Sequence, residues 1–328
     1  MSESEGAPSA IEGSAAPRVS VIVPAYGVAG FLAEALSSLW AQSFVDWEVV
    51  VVDDGDRIGV AAAFAPFGSD ARMRLLQTDN AGVSTARNRA VAAARADVIA
   101  FLDGDDLYER DYLARMLQAL QDDPALGFVT CDAQLFGAGV RRARLYSEAH
   151  PIQGPLTLER VLTRQVNVFT AAVVRRSAFQ SVGGFDAHLR AAEDLDLWIR
   201  LLALGWRGAV VPAPLVRYRR REGSLSSNVR ALLAGCCAVY AKAAAMLAGR
   251  PEAAAAQTVG RHYAQRLAWA EGEALIIEGR VSAGLALLRD AGVRSRRWRL
   301  AIAMMRRAPW VAAPLLRLRR WLPEPSSG

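Results

Sequence analysis

Residues 97–108 read DVIAFLDGDDLY, and this stretch decides the fold class that the sequence predicts. The apolar run after Asp97 is typical of a buried strand, and the carboxylates of Asp103, Asp105 and Asp106 follow at its end. Such closely spaced carboxylates repel one another unless a cation lies between them. Mg²⁺ and Mn²⁺ prefer oxygen ligands of this kind, so the pattern predicts a metal site. A solvated turn is the alternative, because Asp and Gly are ordinary turn residues.

On both sides of this stretch, short apolar runs alternate with helical patterns. Apolar strands separated by helices favour right-handed crossovers and a mostly parallel sheet that is covered on both faces. The sequence therefore predicts an α/β, Rossmann-like fold. The predicted strands are VSVIVPAY (19–26), WEVVVVDD (47–54), MRLLQT (73–78), DVIAF (97–101) and GFVTCDAQLF (127–136), and the predicted helices are 28–41 and 83–95.

The ends of these strands collect polar residues, which matters because ligands gather beyond the carboxyl ends of parallel strands. Besides the acids at 103–106, the second strand closes on Asp53 and Asp54. An acid in that position can accept a hydrogen bond from a base N–H or a ribose hydroxyl, although a turn at Gly55 is the alternative. The glycine patterns of dinucleotide dehydrogenases and of P-loop enzymes are missing from the sequence.

Residues 81–88, AGVSTARN, are typical of a loop that opens a helix, with Ser84 or Thr85 near the N-cap. A helix N-terminus together with the guanidinium of Arg87 is a natural contact for a diphosphate. An ordinary cap with an exposed arginine is the alternative.

Composition and charge divide the 328-residue chain into three parts. Residues 1–17 are rich in Ser, Glu, Ala, Gly and Pro, and predict a disordered tail. The net charge of +6 is uneven, because residues 231–328 hold 15 of the 39 basic residues and only 6 of the 33 acidic ones. We therefore predict an α/β domain over 18–228 and a helical, Arg-rich region over 229–328. Within that region, 231–249 is a poor membrane span because Lys242 lies in its middle.

The motifs, taken in order, resemble those of the inverting family 2 glycosyltransferases with the GT-A fold, over roughly residues 18–226. The resemblance implies transfer of a sugar from a nucleotide-sugar donor, with Mn²⁺ or Mg²⁺ bound through a D-x-D element. The segments that carry it are PRVSVIVPAYGVAGFLAEALSSLWAQSF, WEVVVVDDG, NAGVSTARNRAV, VIAFLDGDDLY, GGFDAHLRAAEDLDLWIRL and YRRREGSLS.

The resemblance also implies a role for individual residues. Asp105 would be the direct metal ligand and Asp194 the general base. The remaining residues implied in nucleotide-sugar binding are Pro24, Ala25 and Tyr26 around the nucleoside, Asp54 at the base, Arg87 near the diphosphate or base, Asp103 beside the ribose, sugar or metal, and Glu193 beside Asp194. Without the resemblance, acids in the first turn of a helix are often only partners of the helix dipole.

The sequence departs from the family pattern in three places. Gly27 stands where Asn is usual, Asp56 where Ser is common, and arginines at 219–221 where many members have His. The first two changes affect the geometry of the donor loop. The third removes a His that would assist the metal or the diphosphate, while Arg220 or Arg221 offers positive charge there.

We expect an active glycosyltransferase that uses a UDP-sugar and a glycan or lipid-linked acceptor. A catalytically silent sugar-nucleotide-binding or membrane-scaffold protein on the same fold is the alternative. Retention of Asp54, Asp103, Asp105 and Asp194 favours the enzyme, because a silent protein has no physical need for all four acids. Three cysteines, of which Cys236 and Cys237 are adjacent, indicate a reducing, cytoplasmic setting.

The segment 296–322 interleaves arginines with Trp, Leu, Ile and Met, and contains Pro309 and Pro314. Such a segment can lie on an anionic membrane, which would make the enzyme peripheral to the inner face of the membrane. Burial of the same apolar residues against a soluble domain is the alternative. A third interpretation is nucleic-acid binding through the arginines together with Trp298, Trp310 and Trp321. We do not favour it, and we expect no nucleic-acid partner.

Overall fold

The computed structural model describes residues 16–140, 142, 144–221, 223–224, 228–291 and 296–319. Most of the predicted tail and the end of the Arg-rich segment, including Trp321, lie outside the described residues. The strands are β1 (Val19–Ala25), β2 (Trp47–Asp54), β3 (Met73–Thr78), β4 (Val98–Phe101), β5 (Leu107–Tyr108), β6 (Leu126–Gly137), β7 (Arg144–Leu145), β8 (Val173–Arg175) and β9 (Arg207–Arg220). All five predicted strands are present.

Helices lie between these strands and after them. The helices are α1 (Ala29–Trp40), α2 (Arg57–Phe64), α3 (Val83–Ala93), α4 (Tyr112–Asp122), α5 (Leu158–Leu162), α6 (Arg176–Ser181), α7 (Glu193–Ala203), α8 (Val229–Met246), α9 (Glu252–Ile277), α10 (Val281–Asp290), α11 (Arg296–Arg307) and α12 (Ala312–Arg319). The two helices predicted in the first hundred residues are therefore α1 and α3.

One mixed sheet forms the centre of the molecule, in the order β3-β2-β1-β4-β8-β6-β9-β5, with β7 paired to β6. Strands β3, β2, β1 and β4 are parallel, as predicted. Beyond β4 the sheet is mixed, because β8 is antiparallel to both β4 and β6, whereas β9 is parallel to β6. The predicted α/β class and GT-A-like core are confirmed.

Both faces of the sheet are buried, which explains why the strands are apolar without alternation. In β1, Ile22 faces the layer formed by α3, α7 and α8. Its neighbours Val21 and Val23 face the opposite layer, formed by α1 and α4. The sheet therefore lies between two hydrophobic cores.

The C-terminal helices pack against the sheet domain through α8. The Tyr240 hydroxyl donates to the carbonyl of Leu162 at 2.7 Å. Lys242, the single lysine of the chain, pairs with Asp186 at 2.6 Å and with Asp196 at 3.0 Å. Helix α8 is long and apolar enough to cross a membrane, with a mean hydropathy of 1.4, but a helix that packs in the core of a soluble protein passes the same test. The boundary at 228 stays a prediction.

A third, smaller hydrophobic cluster joins α9, α10, α11 and α12. In α11, Ile302 and Met305 are buried in this cluster. Leu300, Met304 and Trp310 point outward, and Trp310 is 80% exposed. The described part of the Arg-rich segment therefore buries some of its apolar residues and exposes others.

Candidate functional site

Three neighbouring strand ends form the floor of the site. Ala25 in β1 is paired with Asp53 in β2, and on the other side β1 is paired with β4, which leads into the acidic turn 103–106. Gly104 lets this turn approach β1 closely. A Cβ at that position would lie 2.9 Å from Val28 Cγ2 and 3.1 Å from the carbonyl oxygen of Pro24. The predicted binding residues of β1 and of the acidic turn are thus in contact.

A buried arginine joins the acidic turn to the predicted catalytic helix. Arg87, on α3, donates to Asp103 Oδ1 at 2.6 Å and to Glu193 Oε1 at 2.7 Å. Its side chain is only 3% exposed, and its guanidinium lies 5.2 Å from the centre of the Phe185 ring. Burial opposes the charge, but the two carboxylates outweigh it and raise the pKa of Arg87. The guanidinium is therefore a fixed positive charge between two acids.

Asp105 and Asp106 are held by arginines at the C-terminal end of β9. Arg221 Nε donates to Asp105 Oδ2 at 2.5 Å. The backbone N–H of Arg219 donates to Asp106 Oδ1 at 2.8 Å, and its side chain donates to the carbonyl of Asp105 at 2.7 Å. Arg221 thus engages the residue predicted to bind metal.

The surroundings of Asp105 and Asp106 disfavour the ionised form of both carboxyl groups. Burial, followed by the charge of Asp103, raises the pKa of Asp105 although Arg221 opposes the shift. Burial and the charges of Asp103 and Asp105 raise the pKa of Asp106 well above its ordinary value. A cation between these carboxylates would offset their mutual repulsion.

The donor set fits a hard divalent cation. Arg87 and Arg221 each engage one oxygen of Asp103 and Asp105, which leaves the second oxygen of each carboxylate without a side-chain partner among the described residues. No group of three or more His, Cys, Asp or Glu side chains suited to a metal occurs in the part of the chain that the structure describes. Mg²⁺ commonly takes only one or two carboxylates and completes its shell with phosphate and water.

Asp54 shapes the loop that precedes α3. Its two carboxylate oxygens accept the N–H groups of Ala81 and Gly82, both at 2.9 Å. Gly82 has φ +89°, a conformation that favours glycine. Helix α3 begins directly after it at Val83, so Gly82 is the N-cap, and Ser84 and Thr85, which were predicted near the cap, lie in the first turn. The Ser84 hydroxyl donates to the carbonyl of Leu189 at 3.4 Å.

The remaining residues predicted to bind the nucleoside line the end of β1. Ala25 is buried and Pro24 is half-buried, whereas the Tyr26 ring is 61% exposed. The buried pair shapes the floor, and the tyrosine ring is free to pack against a ligand.

The predicted general base, Asp194, lies at the start of α7. Thr170 Oγ1 donates to Asp194 Oδ2 and the N–H of Leu195 donates to Oδ1, each at 2.8 Å. The residue before the acid pair, Ala192, has φ +59° although it is not glycine. Burial raises the pKa of Glu193, and Arg87 opposes that shift. The two acids therefore differ: Glu193 is tied to Arg87, while Asp194 is half-buried and held by neutral donors.

Two residues that contact the predicted site residues were not predicted from the sequence. Thr170 precedes β8 in a segment whose sequence shows no motif, and only its contact with Asp194 identifies it. Arg219 was seen as part of an arginine run, but its two contacts with the acidic turn depend on β9, which no pattern predicted.

Comparisons with known proteins identify the family and the fold of the chain. The family model described as glycosyl transferase family 2 matches residues 20–183, half of the chain. The succinoglycan biosynthesis protein ExoO of Rhizobium meliloti (strain 1021) is 36% identical over 225 residues, which are 65% of this chain and 64% of that protein. The putative teichuronic acid biosynthesis glycosyltransferase TuaG of Bacillus subtilis (strain 168) is 25% identical over 214 residues, 65% of this chain and 82% of that one. The chain thus spans less than two thirds of the length of ExoO.

Two solved structures have the same fold. A fragment of TarS of S. aureus in complex with UDP-GlcNAc has a TM-score of 0.62 at 19% identity, over 84% of this chain and 80% of that chain. The mannosyltransferase PcManGT from Pyrobaculum calidifontis, in complex with GDP-Man and Mn²⁺, has a TM-score of 0.60 at 22% identity, over 92% and 85% of the two chains. With the family model matching half of the sequence, the chain belongs to glycosyl transferase family 2.

Proposed function

We propose that this protein transfers a sugar from a nucleotide-sugar, by default a UDP-sugar, to a hydroxyl of a glycan or lipid-linked acceptor, with inversion at the anomeric carbon. The observation that carries the proposal is the bridge made by Arg87, which ties Asp103 of the acidic turn to Glu193, next to Asp194. Donor-binding and base residues therefore form one connected site. Relatives named for succinoglycan and teichuronic acid biosynthesis support a role in cell-surface polysaccharide synthesis.

Asp194 is the group that takes the proton. An acceptor hydroxyl that attacks the anomeric carbon must lose its proton, and a placed carboxylate contributes about 10²–10⁴-fold to such a step. Thr170 and the N–H of Leu195 fix both oxygens of Asp194, so that the carboxylate holds its orientation. A single displacement by the acceptor inverts the configuration at the anomeric carbon.

The donor diphosphate is placed over the acidic turn. Asp105, assisted by Asp103, would hold Mn²⁺ or Mg²⁺, and the chemistry that such an ion supplies is neutralisation of charge on the departing diphosphate. Arg221 adds a positive charge on the same side. The Mn²⁺ and the two nucleotide-sugars in the complexes of TarS and PcManGT support this assignment.

A panel of nucleotide-sugars tests the proposal. The full-length protein is mixed with UDP-, GDP- and dTDP-sugars, with Mn²⁺ or with a chelator, and thermal stabilisation and donor hydrolysis are both measured. We expect one donor to stabilise the protein and to be hydrolysed only with Mn²⁺. A donor that binds but is neither hydrolysed nor transferred to any acceptor would favour the silent binding protein. Stabilisation by no donor would refute nucleotide-sugar binding.

We further propose that the exposed face of α11 contacts anionic lipid at the inner face of the membrane, with the enzyme in the cytoplasm. Leu300 and Met304 are exposed on α11 beside the exposed arginines 306 and 307, and Trp310 is exposed in the short 3-10 helix that follows. Exposed apolar side chains flanked by arginines are typical of helices that lie in a membrane interface. Each basic residue near such a surface contributes about 1 kcal/mol.

Liposome co-sedimentation tests the membrane contact. The triple variant Leu300→Gln, Met304→Gln, Trp310→Gln leaves the buried side of α11 intact, so the helix is expected to stay folded. We expect the wild-type protein to bind anionic vesicles and not neutral ones, and the variant to lose most of that binding. Equal binding by both proteins would contradict the proposed contact.

A further inference from the structure

The residue in front of the predicted acid pair has a strained backbone. Ala192 has φ +59° although it carries a side chain, and it is only 9% exposed. A left-handed conformation at such a residue persists only where the surrounding structure holds it, and such positions cluster at functional sites. Ala192 ends the loop 182–192 between α6 and α7, which we call the base loop because Asp194 follows it. The contacts of this loop therefore show what fixes the predicted base.

Helix α8 lies against the base loop without room for a side chain. A Cβ at Gly235 would lie 2.8 Å from the carbonyl carbon of Ala191 and 3.0 Å from its Cβ, and closer still to its carbonyl oxygen. Backbone atoms cannot rotate away from such a clash as the end of a flexible side chain can. The carbonyl carbon of Ala191 is also one of the four atoms that define φ of Ala192. The helix thus packs on the peptide group whose orientation sets the strained conformation.

The same face of α8 engages residues before and after the strained position. Lys242 Nζ pairs with Asp186 of the base loop at 2.6 Å and with Asp196, in the first turn of α7, at 3.0 Å. Seven residues are two helical turns, so Gly235 and Lys242 lie on one face of α8. That face therefore contacts the base loop and the start of α7 at three points, on both sides of Asp194 along the chain.

Helix α3 contacts earlier residues of the base loop. Asn88 Nδ2 donates to the carbonyl of Phe185 at 2.8 Å, and the N–H of Phe185 donates to Asn88 Oδ1 at 2.9 Å. The Ser84 hydroxyl lies 3.4 Å from the carbonyl oxygen of Leu189, a long distance for an O–H donor. Helix α8 thus contacts the loop closer to Asp194 along the chain than these hydrogen bonds of α3 do.

We propose that α8 is a positioning element of the active site, in which Gly235 and Lys242 set the orientation of Asp194 through the base loop. This inference rests on the proposed function, in which Asp194 is the general base. Gly235 and Lys242 are positioning residues, because they act through the loop and not on the reacting atoms. A shift of about 1 Å in a positioned group can cost about a hundredfold in rate.

Gly235→Ala in the full-length protein tests the proposal. The N–H of Leu195 donates to Asp194 Oδ1 at 2.8 Å, and the N–H of Asp196 donates to the carbonyl of Ala192 at 3.2 Å. Hydrogen–deuterium exchange of the peptide that covers these amides reports the geometry around the base without any sugar. We expect the variant to exchange at least about fivefold faster there, because the loop must move away from the added methyl group.

Kinetics of the same variant separate positioning from donor binding. We expect kcat of transfer or hydrolysis, with the donor selected by the nucleotide-sugar panel, to fall at least about tenfold while the KM for that donor is unchanged. Calorimetry of UDP binding with Mn²⁺ should show an affinity within about twofold of the wild type, since most of the residues predicted to bind the donor lie outside the base loop.

Gly272→Ala is the matched control. A Cβ at Gly272 would lie 2.9 Å from the carbonyl oxygen of Gly284, so it creates the same kind of clash between two other helices, α9 and α10. Urea unfolding should show a loss of stability in this variant. Exchange around Leu195 and kcat should both stay at the wild-type values.

A second pair of variants tests the ion pairs without adding bulk. Lys242→Met removes both pairs, and it is expected to fold because Asp196 keeps its pair with Arg200 at 2.6 Å. We expect exchange around Leu195 to rise and kcat to fall, each at least about threefold. Lys242→Arg keeps the charge and should restore most of both, which a loss of packing alone would not explain. If Gly235→Ala does not fold, the pair at Lys242 decides.

Three results would overturn the inference. These are wild-type exchange and kcat in Gly235→Ala and Lys242→Met, an equal fall of kcat in Gly272→Ala, or a loss of UDP affinity as large as the loss of kcat. Faster exchange in the variants, with no nucleotide-sugar bound by the wild-type protein, refutes the proposed function alone. Transfer by the wild type, with unchanged exchange and kcat in the variants, refutes the positioning role alone.

Discussion

At the scale of single residues, the site contains carboxylates in opposite electrostatic situations. Asp54 is buried, yet two backbone N–H groups satisfy both of its oxygens. Asp105 has one arginine partner, but burial and Asp103 still raise its pKa. The hydrogen bonds of Asp54 hold a loop in place, whereas the ionised Asp105 is an unfavourable charge at the position where a cation is expected. Asp54 therefore has a structural role in the loop, whereas Asp105 has a predicted role in binding.

Asp105→Asn should separate stability from activity. In the folded protein, the pKa of Asp105 lies above its ordinary 3.8. Ionisation of Asp105 therefore lowers the free energy of unfolding as the pH rises above the unfolded pKa, and the full loss is present at neutral pH. The neutral amide avoids this cost, so we expect the Tm at pH 7 to rise on the order of 2 °C. Transfer and the effect of Mn²⁺ on UDP affinity should be lost.

Thermal unfolding at pH 7 and at pH 3 checks this prediction. The gain in Tm should shrink at pH 3, where Asp105 is protonated in both states. A variant that is less stable at pH 7, or one with an unchanged metal effect in calorimetry of UDP binding, would contradict the assignment of Asp105.

Asp194→Asn should abolish base catalysis while the donor still binds. The amide keeps the shape of the side chain and loses its basicity, so we expect transfer to fall by at least about a hundredfold with UDP affinity unchanged. Thr170→Val removes only one of the two donors that orient Asp194, and a smaller loss of about tenfold is expected. Initial rates with saturating donor measure both. Transfer near the wild-type rate in Asp194→Asn would exclude this residue as the base, and Glu193 would be tested next.

At the scale of elements, the parallel strands β1 to β4 and the long strand β6 could be predicted, whereas β5, β7, β8 and β9 could not. Runs such as VVVV in β2 show burial directly. In contrast, β9 contains Pro212, Pro214 and several arginines, which ordinarily argue against a central strand. The prolines are tolerated because the pairing of β6 with β9 shifts register between Cys131 and Asp132. The arginine contacts of the acidic turn therefore became visible only in the structure.

We expect that no side chain can be accommodated at residue 104, between the acidic turn and β1. Gly104→Ala places a methyl group 2.9 Å from Val28 Cγ2, so the turn must move away from the strand end. We expect at least about tenfold weaker UDP binding in the presence of Mn²⁺, in line with the sensitivity of sites to small displacements. Isothermal calorimetry measures the change. Gly30→Ala is the matched control, since an added Cβ there meets nothing within 4 Å and α1 gains a better helix former. Equal UDP affinity in the two variants would contradict this account.

At the scale of the whole molecule, one buried acid joins several elements of the parallel half. Glu48 in β2 accepts the Ser20 hydroxyl of β1 at 2.7 Å, the N–H of Arg95 at 2.6 Å and the Arg74 guanidinium at 3.0 Å. Burial opposes its charge, but these hydrogen bonds, with Arg74, outweigh burial and lower the pKa of Glu48 below its ordinary 4.5. No sequence pattern indicates this network, because its members are far apart along the chain.

Glu48→Gln should destabilise the fold, and the loss should depend on pH. Because the pKa of Glu48 is lower in the folded than in the unfolded state, its ionised form stabilises the fold at pH values above the unfolded pKa. This contribution is lost as the pH falls through the folded pKa. We expect the variant to lose about 2 kcal/mol at pH 7, the range for losing hydrogen bonds to a charged group, because the arginines left behind are partly exposed. Urea unfolding at pH 7 and at pH 3 should show a smaller difference at the lower pH. The exposed Glu278→Gln should stay within about 0.5 kcal/mol of the wild type at both, and a pH-independent loss in Glu48→Gln would contradict the role of its charge.

The position of β9 between β6 and β5 has a consequence for how such enzymes diverge. Apart from Glu193, the residues predicted to bind the donor precede residue 110, whereas the predicted base follows residue 145, so one genetic crossover between related genes can exchange the later half in a single step. However, β9 belongs to the later half and brings Arg219 and Arg221 back to Asp105 and Asp106. A hybrid gene is therefore expected to yield a working donor site only when the incoming half supplies arginines, or groups of equal charge and reach, at these two positions.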